Sequence, residues 1–237
     1  MLVAAAVCPC PPLLVPEVAA GAAPELDAAR AACADALGVL AASRPERLVV
    51  VGPADTAGPG IHPQGARGSF RGFGVDMDVY LGADTGDAHG PDLPHGLAVG
   101  AWLLGRAGWT GTQVDGIGVG EELSAERCAA VGRDIAARSG RTALLVLGDA
   151  SACRTLKAPG YLDERAAPFD AEAGRALGTA DVAALAALDQ ALARELKVSG
   201  RAPWQVLAGA AEGADLAGTL LYEDAPYGVG YVAAAWS

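Results

Sequence analysis

The hydrophobic pattern of the chain alternates between two periods. Short apolar runs at residues 2–7, 47–51 and 142–147, rich in Val, Leu and Ala and closed by Gly or Pro, read as buried strands. Residues 75–81 alternate Val75, Met77, Val79 and Leu81 with Asp76, Asp78 and Tyr80, the pattern of a half-exposed strand. Residues 113–119 read as a weaker strand, interrupted by Gly116 and Gly118. Between them lie helical stretches. Residues 25–40 place Leu26, Ala29, Cys33, Leu37 and Leu40 on one stripe, and residues 93–104 carry Pro94 in the first turn. Ser124 can cap a helix running to about residue 139, with Cys128, Val131 and Ile135 inward. Residues 168–177, 179–197 and 203–211 complete the helical set, and Leu185, Leu188, Leu192 and Leu196 form the stripe of a single helix over 179–197. Residues 216–222 and 229–235 read as closing strands joined by the turn over 223–228, while residues 52–72, rich in Gly and Pro, read as loop.

Strand–helix alternation predicts an α/β fold. It is a single domain with a largely parallel central sheet, helices on both faces and a C-terminal antiparallel strand pair. Ligands of such sheets gather at the carboxyl ends of the strands, so the loops after Val7, Val51 and Leu147 are expected to line one pocket.

Composition narrows the partners. In 237 residues, 17 basic side chains face 28 acidic ones, a net charge of −11, and aromatics make up 5%. That balance disfavours phosphate backbones, base stacking and anionic membranes, and leaves a small molecule or a second copy of the chain as the expected partners. Prolines 9, 11, 12 and 16 break the apolar N-terminal run, and no Lys or Arg precedes Arg30, so neither a membrane span nor a secretory signal is read there. Five cysteines, an odd number in a chain of this length, suit a reducing cytoplasm better than a disulfide framework.

The chemistry-bearing residues concentrate after the predicted strands. The glycines of residues 116–120 lack the full G-x-G-x-x-G, and neither a P-loop nor a G-x-S-x-G elbow occurs. Cys8 and Cys10 flank Pro9 after the first strand, where a thiolate could bind a soft metal or act as a nucleophile, or two small hydrophobes could simply fill a rigid turn. Only three histidines exist. His62 follows the second strand; His89 and His95 sit in a Gly/Pro-rich stretch and read as solvated. After residue 147 a polar segment carries Asp149, Ser151, Arg154, Lys157, Tyr161, Asp163, Glu164, Arg165 and Asp170. A connection that long is functional or solvated, and Asp149, Ser151, Lys157 and Tyr161 are its catalytic candidates, although Ser151 has no obvious base. Glu212, just past a predicted helix, would sit against the negative end of the helix dipole unless a cation or metal offset it.

The stretches VAAAVCPCPPLLVPE, RLVVVGP, LLVLGDASACR, APWQVLAGA and DAPYGVGY, in this order, resemble the class III extradiol ring-cleavage dioxygenase, subunit-B-like superfamily, and within it a small actinobacterial branch. The resemblance covers essentially the whole chain. It implies Fe(II) held by two His and one Glu, with open positions for a catechol and O₂. Carried onto this chain, the first His position is Cys10, the second falls to His62, the carboxylate to Glu212, and the acid–base His to Ala152. One ligand is thus changed and the acid–base His is absent. The related Memo-type branch builds a pocket of three His and one Cys, so a Cys ligand is not foreign to the superfamily.

Three readings follow. The first is a non-haem iron oxygenase on a dihydroxylated aromatic, with Cys10, His62 and Glu212 converging and Tyr161 or Lys157 as the base. The second is another enzyme, with or without zinc, using the segment 149–170. The third is a binding or regulatory protein on the same scaffold with an eroded metal site. The missing His at position 152 leads to the expectation of little catechol cleavage. A site completed by Cys10 would favour weakly held zinc over iron.

Overall fold

A computed structural model describes residues 1–54, 58–83 and 91–237. In chain order the strands are β1 (Leu2–Cys8), β2 (Arg47–Ala54), β3 (Gly60–His62), β4 (Arg67–Ser69), β5 (Asp78–Tyr80), β6 (Gln113–Gly120), β7 (Thr142–Leu147), β8 (Gly218–Asp224) and β9 (Tyr231–Trp236). The helices are α1 (Pro16–Ala19), α2 (Asp27–Ala42), α3 (His95–Arg106), α4 (Ala125–Ala136), α5 (Ala166–Gly178), α6 (Val182–Ala186), α7 (Gln190–Glu195) and α8 (Arg201–Ala210). Seven strands form one sheet in the order β3-β6-β2-β7-β1-β9-β8. β6, β2, β7 and β1 run parallel, β3 is antiparallel at one edge, and β9 and β8 add the antiparallel C-terminal pair. This is the predicted α/β architecture.

The strand periodicity divides the core in two. Ala5 and Val7 of β1 face α4, α5 and α8, together with Val146 of β7 and Val49 and Val51 of β2. Ala4, Ala6 and Cys8 face α2 and α3, where Cys33, Leu37, Leu97 and Leu104 cover them. Both faces are closed, so all six residues of β7 are buried and read as a continuous apolar run.

Three expectations change. The helix expected over 179–197 is two short helices, because Asp181 and Asp189 each cap a new start: their carboxylates accept from the N–H groups of Ala184 (3.0 Å) and Leu192 (2.7 Å). The leucine stripe is therefore continuous in space across a broken helix, with Leu185 and Leu196 fully buried. The stretch 52–72, read as loop, contains β3 and β4; each has only three residues, below the length at which period-2 patterning shows. The strand expected over 75–81 narrows to β5, which pairs with β4. The glycines of 116–120 lie in β6 rather than in a cofactor loop. A Cβ on Gly118 would stand 2.3 Å from the Gly58 carbonyl oxygen, so close strand approach accounts for the glycine there.

Candidate functional site

The connections of β1 and β7 leave the sheet in opposite senses. After β1 the chain turns to the α2 face and reaches β2 on the far side of β7, whereas after β7 it turns to the opposite face, through α5 to α8, and returns as β8 and β9 beyond β1. Adjacent parallel strands whose connections diverge open a crevice at their carboxyl ends, the usual ligand position of such sheets.

Cys10 and Asp149 meet in that crevice. The Cys10 N–H donates to Asp149 Oδ1 at 2.8 Å. The Asp149 backbone is fastened on both sides: its N–H donates to Ser199 Oγ at 2.9 Å and its carbonyl accepts from Gly200 N–H at 2.9 Å. Gly148 allows this, since a Cβ there would fall 2.3 Å from the Gly200 Cα. The turn before α8 thereby sits directly over the end of β7. Tyr231, at the start of β9 and beside the β1 end, closes the other side with its ring buried.

Electrostatics follow from this enclosure. Burial pushes the Asp149 carboxyl up to about 7, and the single N–H from Cys10 offsets only part of that. Among the described residues this is the one hydrogen bond its carboxylate receives, and the side chain is only partly buried. Burial and the neighbouring Asp149 carboxylate hold the Cys10 thiol well above its ordinary value, against a hydrogen bond from Ser199. Cys10 is accordingly a neutral thiol at pH 7, not a ready thiolate. Burial likewise raises the Tyr231 phenol, and Asp149 and Cys10 raise it further. The arrangement is a carboxyl poised to gain or lose a proton near neutrality, surrounded by groups that stay protonated.

The other predicted residues go elsewhere. Ser151 is fully buried and points into the core: its N–H donates to Asp170 Oδ1 and its hydroxyl to Asp170 Oδ2, both at 2.8 Å. Arg154 completes the set on Asp170 Oδ2 at 3.0 Å. The long polar segment is thus a fastened part of the scaffold. Ala150 N–H and Arg154 N–H donate to Gly230 and Gly228 carbonyls, and Ala152 N–H to that of Leu196. Lys157 and Tyr161 are exposed on its outer turns, Tyr161 with a left-handed φ of 64°. They do not join Asp149.

Nor do the three residues proposed as metal ligands converge. His62 lies in edge strand β3, four strand spacings from β1, roughly 19 Å. Its Nε2 is 3.0 Å from the Gly58 carbonyl oxygen and the ring is buried. Glu212 lies at the opposite end of the sheet, beside Met1, Leu2 and Arg141, exposed and paired with Arg133 at 2.8 Å. That ion pair supplies the cation which offsets the helix dipole. Cys10, His62 and Glu212 therefore do not fit a single Fe(II) or zinc ion, and no group of three or more His, Cys, Asp or Glu among the described residues does. His89 lies outside the described residues. His95 opens α3, exposed. Of the three loops expected to share a pocket, those after β1 and β7 meet; β2 is the other neighbour of β7, and residues 55–57 after it lie outside the described residues.

Ser199 and Tyr231 were not singled out in the sequence. Neither belongs to a motif, and both reach the site through topology, one from the turn before α8 and one from the antiparallel partner of β1.

No protein-family model matches the chain, and no curated protein matches it. Among solved structures it is similar to the crystal structure of the uncharacterized protein JW3007 from Escherichia coli K12, with a TM-score of 0.60 and 13% identity, covering 98% of this chain and 99% of that one. At that identity the likeness is one of fold, extending over both chains end to end.

Proposed function

We propose that the protein binds a small hydroxylated molecule in the crevice between β1 and β7, with Asp149 as its proton-exchanging anchor, on an extradiol-dioxygenase-like scaffold that does not use that superfamily's two-His, one-carboxylate metal set. The observation that carries this reading is the Asp149 carboxyl, with one oxygen held by Cys10 N–H and the other free of hydrogen bonds among the described residues, at the carboxyl end of two parallel strands. A carboxylate so placed accepts a hydrogen bond from a ligand hydroxyl, and the buried Tyr231 ring offers an apolar wall beside it. The scattered positions of Cys10, His62 and Glu212, and the tying of Ala152 into the scaffold, speak against ring cleavage in the manner the resemblance implies.

The test is calorimetric titration with catechol and 4-methylcatechol at pH 8, on the wild type and on Asp149→Asn. Binding to the wild type should weaken at least about tenfold in the variant, the worth of a hydrogen bond to a charged group. The same samples supplied with Fe(II) in air should yield no ring-opened product. Equal affinity in the two proteins, or yellow product at ordinary turnover, would sink the reading.

A further inference from the structure

A second cleft lies on the far side of the sheet from β9, between α4 and edge strand β3. Its volume is about 570 Å³, within the range of small-molecule sites. The fold keeps it open. Ile61 and Ile117 are register partners in β3 and β6, so their side chains stand on the same face, toward α4. β3 has only three residues, no helix among the described residues covers that edge, and Ile61 is 71% exposed.

α4 cannot roll over to cover it. A Cβ on Gly132 would stand 2.0 Å from the Val206 carbonyl oxygen, and one on Gly209 2.1 Å from that of Ala129. These backbone contacts hold α4 against α8 and away from the sheet edge. The cleft left behind runs beside α4 from Val131 to Arg138, about 10 Å.

Its walls are apolar: Ile61, Ile117 and Val119 from the sheet, Val131 and Ile135 from the helix. The charged groups stand at its rim. Glu122, at one end, is 3.4 Å from Arg194 and so has a cation already. Arg138, just past the opposite end of α4, is exposed and its guanidinium makes no ion pair or hydrogen bond among the described residues; Asp134 stands one turn before it. An elongated apolar trough ending at an unengaged guanidinium matches an apolar chain that carries an anion at one end. A protein partner would need roughly 800 Å² of surface on each side, far more than a trough of this size presents.

We propose that this cleft binds a medium-chain acyl carboxylate, the chain along α4 and the carboxylate on Arg138. Guanidinium and carboxylate pair in planar, two-point fashion, and the chain removes Ile61 from water.

The probe is decanoate below its micellar concentration, titrated calorimetrically against the full chain, with decanol as the uncharged control. Decanoate should bind one to one. Arg138→Gln should weaken decanoate roughly fivefold and leave decanol within about twofold, the scale of an exposed ion pair. Ile61→Asp, at a position too exposed to matter for folding, should weaken both ligands roughly tenfold or more. No decanoate binding to the wild type, or equal affinities in all three proteins, overturns the proposal. Sedimentation of the same samples gives the remaining outcome. A wild-type dimer that Ile61→Asp dissociates, with no decanoate bound, would assign the cleft to a second copy of the chain and overturn it equally.

Discussion

Asp149 and Asp170 are neighbours in function-bearing sequence and opposites in structure. Asp170 is buried and receives three donors: the Ser151 N–H, the Ser151 hydroxyl and Arg154. Burial raises its carboxyl, but each of those donors pulls it back. Asp149 is less buried, receives one N–H, and is pushed up to about 7. The difference teaches how to separate a fastener from a site. A carboxylate with donors on both oxygens ties segments together, here the connection after β7 to α5. One left with spare accepting capacity in a strand-end crevice is available to a ligand.

Breaking the fastener should have the largest effect. Asp170→Asn replaces one acceptor with a donor facing the Ser151 hydroxyl and the Arg154 guanidinium, in a place so close-packed that a Cβ on Gly230 would stand 2.6 Å from Oδ2. It should cost about 2–4 kcal/mol in denaturant unfolding at pH 7. Asp149→Asn should act in the other direction. The folded-state value of Asp149 is raised above the unfolded one, so the folded protein holds an extra proton between about pH 4 and 7 and loses stability as pH rises through that window. The variant should therefore be more stable than the wild type by about 1–3 kcal/mol at pH 8, with the gap closing toward pH 4 when unfolding is followed at both ends. Ser151→Ala removes one of the three donors and should cost about 1–2 kcal/mol. Ligand affinity should stay unchanged, since Ser151 faces Asp170 and not the crevice. Glu212→Gln should move stability by no more than about 0.5 kcal/mol, because its pair with Arg133 is exposed on both sides.

The parallel sheet and its two covered faces were legible because long apolar runs and helical stripes carry strong periodic signals. So was the crevice, since Cys10 and Asp149 both follow strands that read clearly. That Ser151 fastens Asp170 was not legible, for a physical reason. A serine pointing at solvent and one pointing at a buried carboxylate 19 positions on have the same local sequence. Glu212 illustrates the same limit from the other side: the helix dipole argument correctly demanded a cation, but Arg133, 79 positions away, met it at the wrong end of the sheet for a metal site. Tyr231 depended on which strand pairs with β1, and Ser199 on where the turn before α8 lands, information held in the topology and in no local pattern.

The most direct test of the account is the carboxyl ¹³C signal of Asp149, followed by NMR across pH 3–9 with and without saturating catechol. The account predicts a midpoint near 7 in the free protein. It predicts a lower midpoint on saturation, because a hydroxyl donating to the ionised carboxylate favours that form. A midpoint near 4 in the free protein, or a midpoint near 7 that catechol leaves unmoved, would contradict it.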